Sequence, residues 1–424
     1  MESVEPNYQT YMTAIGNLAA KSNIPTIYDI MKARDLFDNT IRKTPLQRSA
    51  TFSKLIRTNV FLKLESLQMT GSFKARGAYV KLNMLSDESR RKGVIAASAG
   101  NHAQGVAYAA LSKGVTCTIV MPKNASPAKI AATRSYGADV ILRGSNYDES
   151  WTAAQEIAGK ERTIIHAFDD GQVIAGQGTV GLEIMEDLRD IDEVYLPIGG
   201  GGLAAGVAIA IKSKKPDIRI IGVESKAFPA MKESLARGSL QKVESGFTIA
   251  DGISVKCPGE LTYTIASNYL DDVVLVEDSA IVRTMFLLME RMKLVVEPAG
   301  AASLAYLLSN GHTHTNKNIV SILSGGNVDM YLLGQVVAKG LIQMGRMVKI
   351  FVQLPDKPGA LKSVVDGIAE LGLNIVEVEH DRLSSNVSAG SAGVYLSLEM
   401  ENESHAKRLI EFLKQEGIEF RVIS

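Results

Sequence analysis

Strand-like runs and helical repeats alternate along most of this 424-residue chain. The run at 59–64 precedes a helical segment near Lys74, and the run at 139–142 precedes a helical segment at 150–159. Such alternation predicts an α/β fold, with helices on both faces of a largely parallel sheet. Ligands of open α/β sheets bind outside the carboxyl ends of the strands. The residues that follow each strand are therefore the first candidates for a functional site.

Four such segments carry glycine or polar residues. They are T-G-S-F-K-A-R-G-A around Lys74, S-A-G-N-H at 98–102, I-G-G-G-G-L at 198–203 and S-G-G-N from Ser324. Successive glycines before a helix let backbone amides approach a phosphate, and S-A-G-N-H suits a carboxylate. An aldehyde cofactor needs an amine, a phosphate cradle and a partner for its pyridine nitrogen. Lys74 is therefore a candidate Schiff-base lysine, and the hydroxyl of Ser324 is a candidate partner for a ring nitrogen.

Each segment taken alone also has an ordinary structural explanation. A lysine near a glycine is usually a solvated surface charge, and a glycine run after a strand is often a general phosphate or nucleotide loop. The tetraglycine does not match the spaced dinucleotide fingerprint, which disfavours NAD. The four segments in this order are much more specific than any one of them.

The full motif order resembles that of the fold type II pyridoxal-phosphate enzymes, which are tryptophan synthase beta-like in fold. It runs S-F-K-A-R-G-A, S-A-G-N-H, G-Q-G-T, G-G-G-G-L, E-P-A-G-A, S-G-G-N. The chain is most similar to the threonine ammonia-lyases (threonine dehydratases), with serine racemase nearby, and the resemblance covers roughly residues 26–339. It implies pyridoxal 5'-phosphate as cofactor and a two-lobed catalytic domain whose smaller lobe spans about 81–177.

The resemblance also implies a role for each segment. Lys74 would hold the cofactor and later take the Cα proton of the substrate, Phe73 would pack on the pyridine ring, and Ser324 would bond the pyridine nitrogen. Asn101 would bond the ring hydroxyl. The phosphate would be bound by Gly199, Gly200, Gly201, Gly202 and Leu203. The substrate carboxylate would be bound by Ser98, Ala99, Gly100, Asn101 and His102.

Two of these residues define the expected chemistry. A hydroxyl at Ser324 leaves the pyridine neutral, which favours prompt loss of a β-hydroxyl over transamination. Burial and a nearby cation are expected to lower the pKa of Lys74 towards working pH, so that the neutral amine acts as a base.

Two departures from serine racemase weigh against racemisation. Racemases carry a serine directly before the glycine of the asparagine loop, where this chain has Ala99. Their metal pair is a glutamate and an aspartate six residues later, whereas Glu224 is followed at that offset by Ala230. No metal site is predicted, although a monovalent ion held by carbonyls stays open, and Glu224 equally well simply ends a strand.

Composition argues against several classes of partner. The 46 basic and 46 acidic residues give a formal charge of zero, which suggests neither nucleic acid nor an anionic membrane as partner. No signal-like N-terminus and no apolar run approaching a membrane span is present in the sequence. Cys117 and Cys257 are too few for a disulfide framework, which fits a reducing cytoplasm.

The pattern changes after Gly340. Periodicity from 347 to 423 predicts βαββαβ, a ferredoxin-like unit. The loop L-P-D-K-P-G-A-L resembles the ligand loop of ACT domains, which bind amino acids and commonly pair between subunits. By that resemblance the effector-site candidates are Asp356, Gly359, Leu361 and Asn374. The alternative explanation of Gly359 is a simple turn at a helix start.

The sequence thus predicts an extension of unknown role at 1–24, a catalytic domain at 25–340 and an ACT regulatory domain at 347–424. The expected reaction is deamination of L-threonine to 2-oxobutanoate and ammonia, and more slowly of L-serine to pyruvate. Serine racemase, hydroxyaspartate dehydratase and an amino-acid sensor with a remnant lyase domain are the alternatives.

Regulation and assembly are also expected. Isoleucine is the first candidate effector, against valine, a nucleotide or none, and both isoleucine synthesis and threonine breakdown stay open as roles. The ACT edge strands and the apolar segment 336–344 predict a homodimer or homotetramer.

Overall fold

The computed structural model describes residues 23–244, 246–310, 316–384, 386–401 and 403–423. Of the predicted extension, residues 1–22 lie outside the described residues. The chain forms two compact units that divide between Asp329 and Met330. The predicted domain limits at 340 and 347 stay predictions.

The first unit alternates helices and strands along the chain. In chain order they are α1 (Ile27–Asp35), β1 (Leu46–Arg48), α2 (Ala50–Ile56), β2 (Asn59–Leu64), α3 (Lys74–Asn83), α4 (Asp87–Lys92), β3 (Val94–Ala97), α5 (Asn101–Lys113), β4 (Cys117–Met121), α6 (Pro127–Ser135), β5 (Asp139–Leu142), α7 (Tyr147–Ala158), β6 (Thr163–Ile164), α8 (Gly171–Asp187), β7 (Glu193–Pro197), α9 (Gly202–Lys212), β8 (Arg219–Ser225), α10 (Ala230–Arg237), α11 (Glu260–Tyr269), β9 (Asp272–Val276), α12 (Asp278–Leu287), α13 (Pro298–Asn310) and β10 (Asn318–Leu323). Short 3-10 turns lie at Glu65–Leu67, Met69–Gly71 and Asp251–Ile253, and a π-turn lies at Leu288–Met292.

The strands of this unit form a larger and a smaller sheet. The larger has the order β1-β2-β10-β7-β8-β9 and is parallel except where β1 runs antiparallel to β2. The smaller has the parallel order β5-β4-β3-β6. Strands such as β3 and β7 are buried along their whole length, as expected where helices cover both faces of a parallel sheet. The predicted α/β architecture is confirmed.

Helix α8 packs closely against both α3 and α9. A Cβ on Gly176 of α8 would lie 2.6 Å from the Cα of Gly77 in α3, and one on Gly206 of α9 would lie 2.3 Å from the carbonyl oxygen of Ile174 in α8. Only glycine permits such backbone approaches. Because α3 begins at Lys74 and α9 begins within the tetraglycine, their common packing on α8 fixes the distance between the lysine and the glycine loop.

A buried ionic network lies directly behind Lys74. Arg76 donates from Nε and Nη2 to Glu65, at 2.8 Å each, and from Nη1 to Glu183 at 2.6 Å. Lys63 donates to the same Glu183 at 2.5 Å, and the four side chains are at most 5% exposed. Buried charges persist when they are paired and hydrogen-bonded. The network therefore ties β2, α3 and α8 together.

The second unit begins with α14 (Met330–Gln343). It continues with β11 (Met347–Pro355), α15 (Ala360–Glu370), β12 (Asn374–Asp381), β13 (Ser391–Glu399), α16 (Glu403–Gln415) and β14 (Glu419–Val422). The strands form an antiparallel sheet of order β12-β13-β11-β14. The apolar core of this unit includes Ile350 and Leu396 from the strands, Val364 from α15 and Leu413 from α16. The predicted βαββαβ order is confirmed.

Among the described residues, no helix combines the length and apolar character needed to cross a bilayer.

Replacing Arg76 by Met should destabilise the first unit strongly, because Glu65 and Glu183 would then share only Lys63 as a buried counter-charge. We expect the free energy of unfolding to fall by about 3–5 kcal/mol. Urea denaturation followed by the fluorescence of Trp151, the single tryptophan of the sequence, measures this.

Arg143→Met is the matched control. It removes an exposed arginine that pairs with Glu156 at 2.7 Å, and the loss should stay below about 1 kcal/mol. Equal losses in the two variants would contradict the importance of the buried network.

Candidate active site

A cavity of about 600 Å³ lies where strands of both sheets end. Residues after β3, β7 and β10 line it, as the general rule for open α/β sheets requires. Every cofactor and substrate residue predicted from the sequence borders this cavity: Phe73, Lys74, Ser98, Ala99, Gly100, Asn101, His102, Gly199, Gly200, Gly201, Gly202, Leu203 and Ser324.

Lys74 presents its amine inside the cavity. Its Nζ donates to the carbonyl oxygen of Ala167 at 2.7 Å. Burial lowers the pKa of Lys74 to about 8, against an opposing contribution from the carboxylate of Glu297. The expectation of a nearby cation is wrong, because desolvation alone lowers this pKa and the charge that acts on the amine is negative. A substantial fraction of the amine is neutral near pH 8.

The tetraglycine forms a cradle that side chains would fill. A Cβ on Gly200 would lie 2.2 Å from a ring carbon of Phe168, and Gly201 has a φ of +94°, in the region that favours glycine. Gly201 is also the N-cap of α9 and provides no side-chain bond to the first-turn amides. Those amides and the helix dipole are therefore available to an anion.

A loop that sequence reasoning missed supports this cradle. Asp169 donates its backbone N–H to Nδ1 of His166 at 2.7 Å, and its Oδ1 accepts from the amides of Leu261 and Thr262, both at 3.0 Å. Thr262 Oγ1 then donates to the carbonyl of Gly200 at 2.7 Å. The sequence H-A-F-D-D has no glycine signature, so nothing in it indicated this role.

Asn101 lies at the centre of a polar chain across the cavity. Its Nδ2 donates to Oε1 of Glu297 at 2.7 Å, and its Oδ1 accepts from Nδ2 of Asn327, also at 2.7 Å. Asn327 Nδ2 donates in turn to the carbonyl of Thr70 at 2.6 Å. The motifs E-P-A-G-A and S-G-G-N contain Glu297 and Asn327, yet sequence analysis gave neither side chain a role.

The loop predicted to bind a carboxylate begins α5. Ser98 Oγ accepts from the backbone N–H of Gly100 at 3.1 Å. The imidazole of His102 is 4% exposed and its Nε2 donates to the carbonyl of Ile165 at 2.9 Å. Burial, assisted by the charge of Lys74, lowers the pKa of His102 to about 3. His102 is thus neutral, and its ring is bonded to the protein rather than directed to an anion.

The lysine segment and the S-G-G-N loop are joined through their backbones. The N–H of Phe73 donates to the carbonyl of Ser324 at 3.2 Å, and the N–H of Gly326 donates to the carbonyl of Gly71 at 2.8 Å. Ser324 is 3% exposed. The Lys74 segment and the Ser324 hydroxyl therefore lie at a fixed spacing in the cavity wall.

The family model described as "Pyridoxal-phosphate dependent enzyme" matches residues 37–325. The chain belongs to this family of pyridoxal-phosphate dependent enzymes. The predicted cofactor is confirmed. The L-threonine ammonia-lyase of Thermotoga maritima is 44% identical over 399 residues, which are 94% of this chain and 99% of that protein.

Solved structures agree with this membership. The processed threonine deaminase isoform 2 of Solanum lycopersicum superposes with a TM-score of 0.71 at 37% identity, covering 75% of this chain and 91% of that one. Maize serine racemase superposes with a TM-score of 0.71 at 35% identity, covering 75% and 98%.

The residues of the cavity fit pyridoxal phosphate. The family's cofactor requires an amine, an anion site and a partner for its ring nitrogen. The cavity offers the buried amine of Lys74, a cradle at Gly200 that a Cβ would obstruct and the Ser324 hydroxyl.

Glu224 serves the fold at the end of β8. Its carboxylate accepts from the backbone amides of Met231 and Lys232 at 2.8 and 2.9 Å, at the start of α10. Burial raises the pKa of Glu224 to about 7, against these hydrogen bonds. Across the described ranges, no group of three or more His, Cys, Asp or Glu residues is arranged to hold a metal.

Cofactor capture by the cofactor-free enzyme should depend on pH through Lys74. Only the neutral amine attacks an aldehyde, so the Lys74-dependent rate should rise about tenfold per pH unit well below its pKa and level off above it. Stopped-flow absorbance after mixing with pyridoxal phosphate measures this, with Lys74→Ala as the blank. A rate that still rises steeply at pH 10 would indicate an ordinary lysine.

Proposed function

We propose that this chain is a threonine ammonia-lyase that converts L-threonine to 2-oxobutanoate and ammonia. The observation that carries the proposal is the Lys74 amine, whose burial brings its pKa to about 8 beside an anion cradle. A base with a pKa near working pH is what removal of a Cα proton needs. The 44% identity to the Thermotoga maritima lyase over 94% of this chain supports the same reaction.

The positions of the cavity residues support a role for each. Pyridoxal phosphate, when bound, supplies an aldehyde and an electron sink for negative charge at Cα. The amides of Gly199, Gly200, Gly201, Gly202 and Leu203 would bind its phosphate. Backbone amides and the hydroxyl of the 98–102 loop would hold the substrate carboxylate, and the neutral Lys74 amine would take the Cα proton.

Ser324 directs the reaction towards elimination. A hydroxyl beside a pyridine nitrogen leaves that nitrogen neutral, whereas a carboxylate would keep it protonated. Negative charge at Cα would then be stabilised less, which would favour loss of the β-hydroxyl. L-Serine, which also carries a β-hydroxyl, should react more slowly to give pyruvate.

Serine racemase is the second candidate, since the maize enzyme is similar in fold. Racemisation requires a group that returns a proton to the opposite face of Cα. Ala99, which lines the cavity, carries a methyl group at the position where those enzymes have a serine. We therefore favour elimination over racemisation.

Purified enzyme should release 2-oxobutanoate from L-threonine, and pyruvate more slowly from L-serine, with no D-serine formed. Lys74→Ala should lower kcat/KM by at least about 10³-fold, because the chain then lacks both the amine and the base. A coupled 2-oxo acid assay and chiral chromatography measure these products. D-Serine as the major product would favour the racemase instead.

We infer that the second unit is an ACT regulatory domain. Its βαββαβ order and antiparallel sheet support the inference. Asp356, Gly359 and Leu361 share the segment between β11 and the start of α15, and Asn374 begins β12. Gly359 has a φ of +90°, and Asp356 accepts a hydrogen bond from Arg382 Nε at 3.0 Å. We propose this region as the amino-acid effector site.

A homodimer or homotetramer remains our proposal for the assembly. Edge strands β12 and β14 expose apolar side chains, among them Val376 at 59%, Val378 at 46% and Val422 at 47%. Sheet edges with exposed apolar residues favour pairing with another chain. An effector bound there would change activity through its different affinity for two catalytic states.

Isoleucine should inhibit threonine turnover, and Gly359→Ala should reduce that sensitivity by at least about tenfold, because an alanine strains the left-handed backbone of the effector loop. Gly417→Ala is the matched control. Gly417 also has a positive φ, +66°, with open space around its Cβ position, but it lies between α16 and β14, outside the segments that hold the proposed effector residues. Isoleucine titrations of both variants measure the effect, and equal loss in both would contradict this site.

A further inference from the structure

Glu297 is a buried carboxylate in the cavity wall that the proposed reaction does not use. It is 5% exposed and begins the E-P-A-G-A motif, directly before α13. Its backbone N–H donates to the carbonyl of Gly325 at 3.0 Å, and a Cβ on Gly325 would lie 2.2 Å from Glu297 Oε1. The side chain is therefore packed against the S-G-G-N loop.

Two hydrogen bonds define which way the Asn101 amide faces. Its Nδ2 donates to Glu297 and its Oδ1 accepts from Asn327. A flipped amide would set Asn101 Oδ1 against a carboxylate oxygen and Nδ2 against the amide nitrogen of Asn327, so both contacts would become repulsive. An amide NH₂ carries two protons. With one proton engaged by Glu297, the second has a fixed direction.

The charges around Glu297 come from several elements. The groups that act on its pKa are Lys74 at the start of α3, Lys129 on α6 and Asp251 in the 3-10 turn. Lys129 and Asp251 pair with each other at 2.7 Å. Burial raises the pKa of Glu297 to about 7, against the hydrogen bond from Asn101 and the two lysines. The carboxylate therefore titrates near neutral pH in the wall of the cavity that also holds the Lys74 amine.

We propose that Glu297 is a positioning residue that fixes the Asn101 amide towards the cofactor ring and places a negative charge beside Lys74. Only the measurement of threonine turnover in the test of this inference rests on the proposed function. The first role depends on the acceptor oxygen, whereas the second depends on the negative charge. A variant that loses only the charge, compared with one that loses both, separates the two roles.

The sign of the charge effect follows from Coulomb attraction. An ionised Glu297 stabilises a proton on Nζ of Lys74, whether the amine is free or joined to the cofactor. Removing the negative charge should therefore release that proton at lower pH. At pH well below the pKa of Glu297, where the carboxylate is protonated, wild type and a neutral variant should behave alike.

The decisive experiment titrates the visible absorbance of the holoenzyme with pH and measures pyridoxal phosphate affinity after resolution of the cofactor. Glu297→Gln keeps an acceptor oxygen and loses the charge, so the spectral midpoint should move down by about one pH unit with little loss of affinity. Glu297→Ala removes the acceptor oxygen as well as the charge. It should shift the midpoint by the same amount as Glu297→Gln and also weaken cofactor affinity about fivefold.

A second buried carboxylate provides the control. Glu224 also has a pKa raised to about 7 by burial, and its oxygens bond the backbone of α10. Glu224→Gln should leave the spectral midpoint at the wild-type value. An equal shift in that variant, or none in Glu297→Gln, would overturn the charge role, and unchanged affinity in Glu297→Ala would overturn the positioning role. Threonine turnover absent from the wild type would instead reject the lyase function and leave the spectral result standing.

Discussion

The packing of α3 and α9 on a single helix, α8, is the constraint on which the cavity depends. α3 begins at the lysine and α9 within the tetraglycine, so their packing on α8 sets the separation of the amine and the anion cradle. Glycines at Gly77, Gly176 and Gly206 allow backbone contact that any Cβ would prevent. The hydrogen bond between Arg76 and Glu183 also joins α3 to α8. Buried pairs of this kind define one arrangement more than they add stability. Most residues of the motifs S-F-K-A-R-G-A and G-Q-G-T therefore serve to pack the helices together, although the first motif also contains Lys74.

The sequence was informative wherever the signal is local. The pattern of a strand followed by glycine or polar residues and then a helix located the segments at Lys74, Gly199 and Ser324. The rule that ligands bind at the ends of strands needs no knowledge of tertiary contacts. What it could not supply were contacts between distant segments. Asn101 and Glu297 are 196 positions apart, and Phe168, which fits against the glycine cradle, lies in a loop whose sequence gives no sign of that contact. His102 is the opposite case. Its place in the S-A-G-N-H motif predicted contact with a ligand, but its ring is hydrogen-bonded to the backbone carbonyl of Ile165.

The proton affinity of Lys74 reflects two opposing effects. Burial alone would make the amine a poor cation, and Glu297 partly restores its affinity for a proton. The sequence analysis expected a nearby cation to lower this pKa, yet Arg76 and Lys63, the basic residues close to the motif, pair with Glu65 and Glu183. The first set of charges, Arg76 and Lys63 with their glutamates, thus stabilises the fold. The second set, Lys74 and Glu297, lies in the cavity wall. Neutralising the cations of the first set with buried glutamates keeps their field from the amine.

Two small side chains, Ser324 and Ala99, favour the proposed elimination because each stands in place of a group that would promote a competing reaction. A carboxylate in place of Ser324 would protonate the pyridine nitrogen and prolong the life of negative charge at Cα, which gives competing proton transfers time to occur. A hydroxyl in place of Ala99 would offer a proton to the second face of Cα. With neither group present, loss of the β-hydroxyl would be the favoured fate of that charge in the proposed reaction, with Lys74 acting from one face of Cα. Under our proposal, selectivity for elimination would follow from a weak electron sink at Ser324 and from the methyl group of Ala99 in the cavity wall.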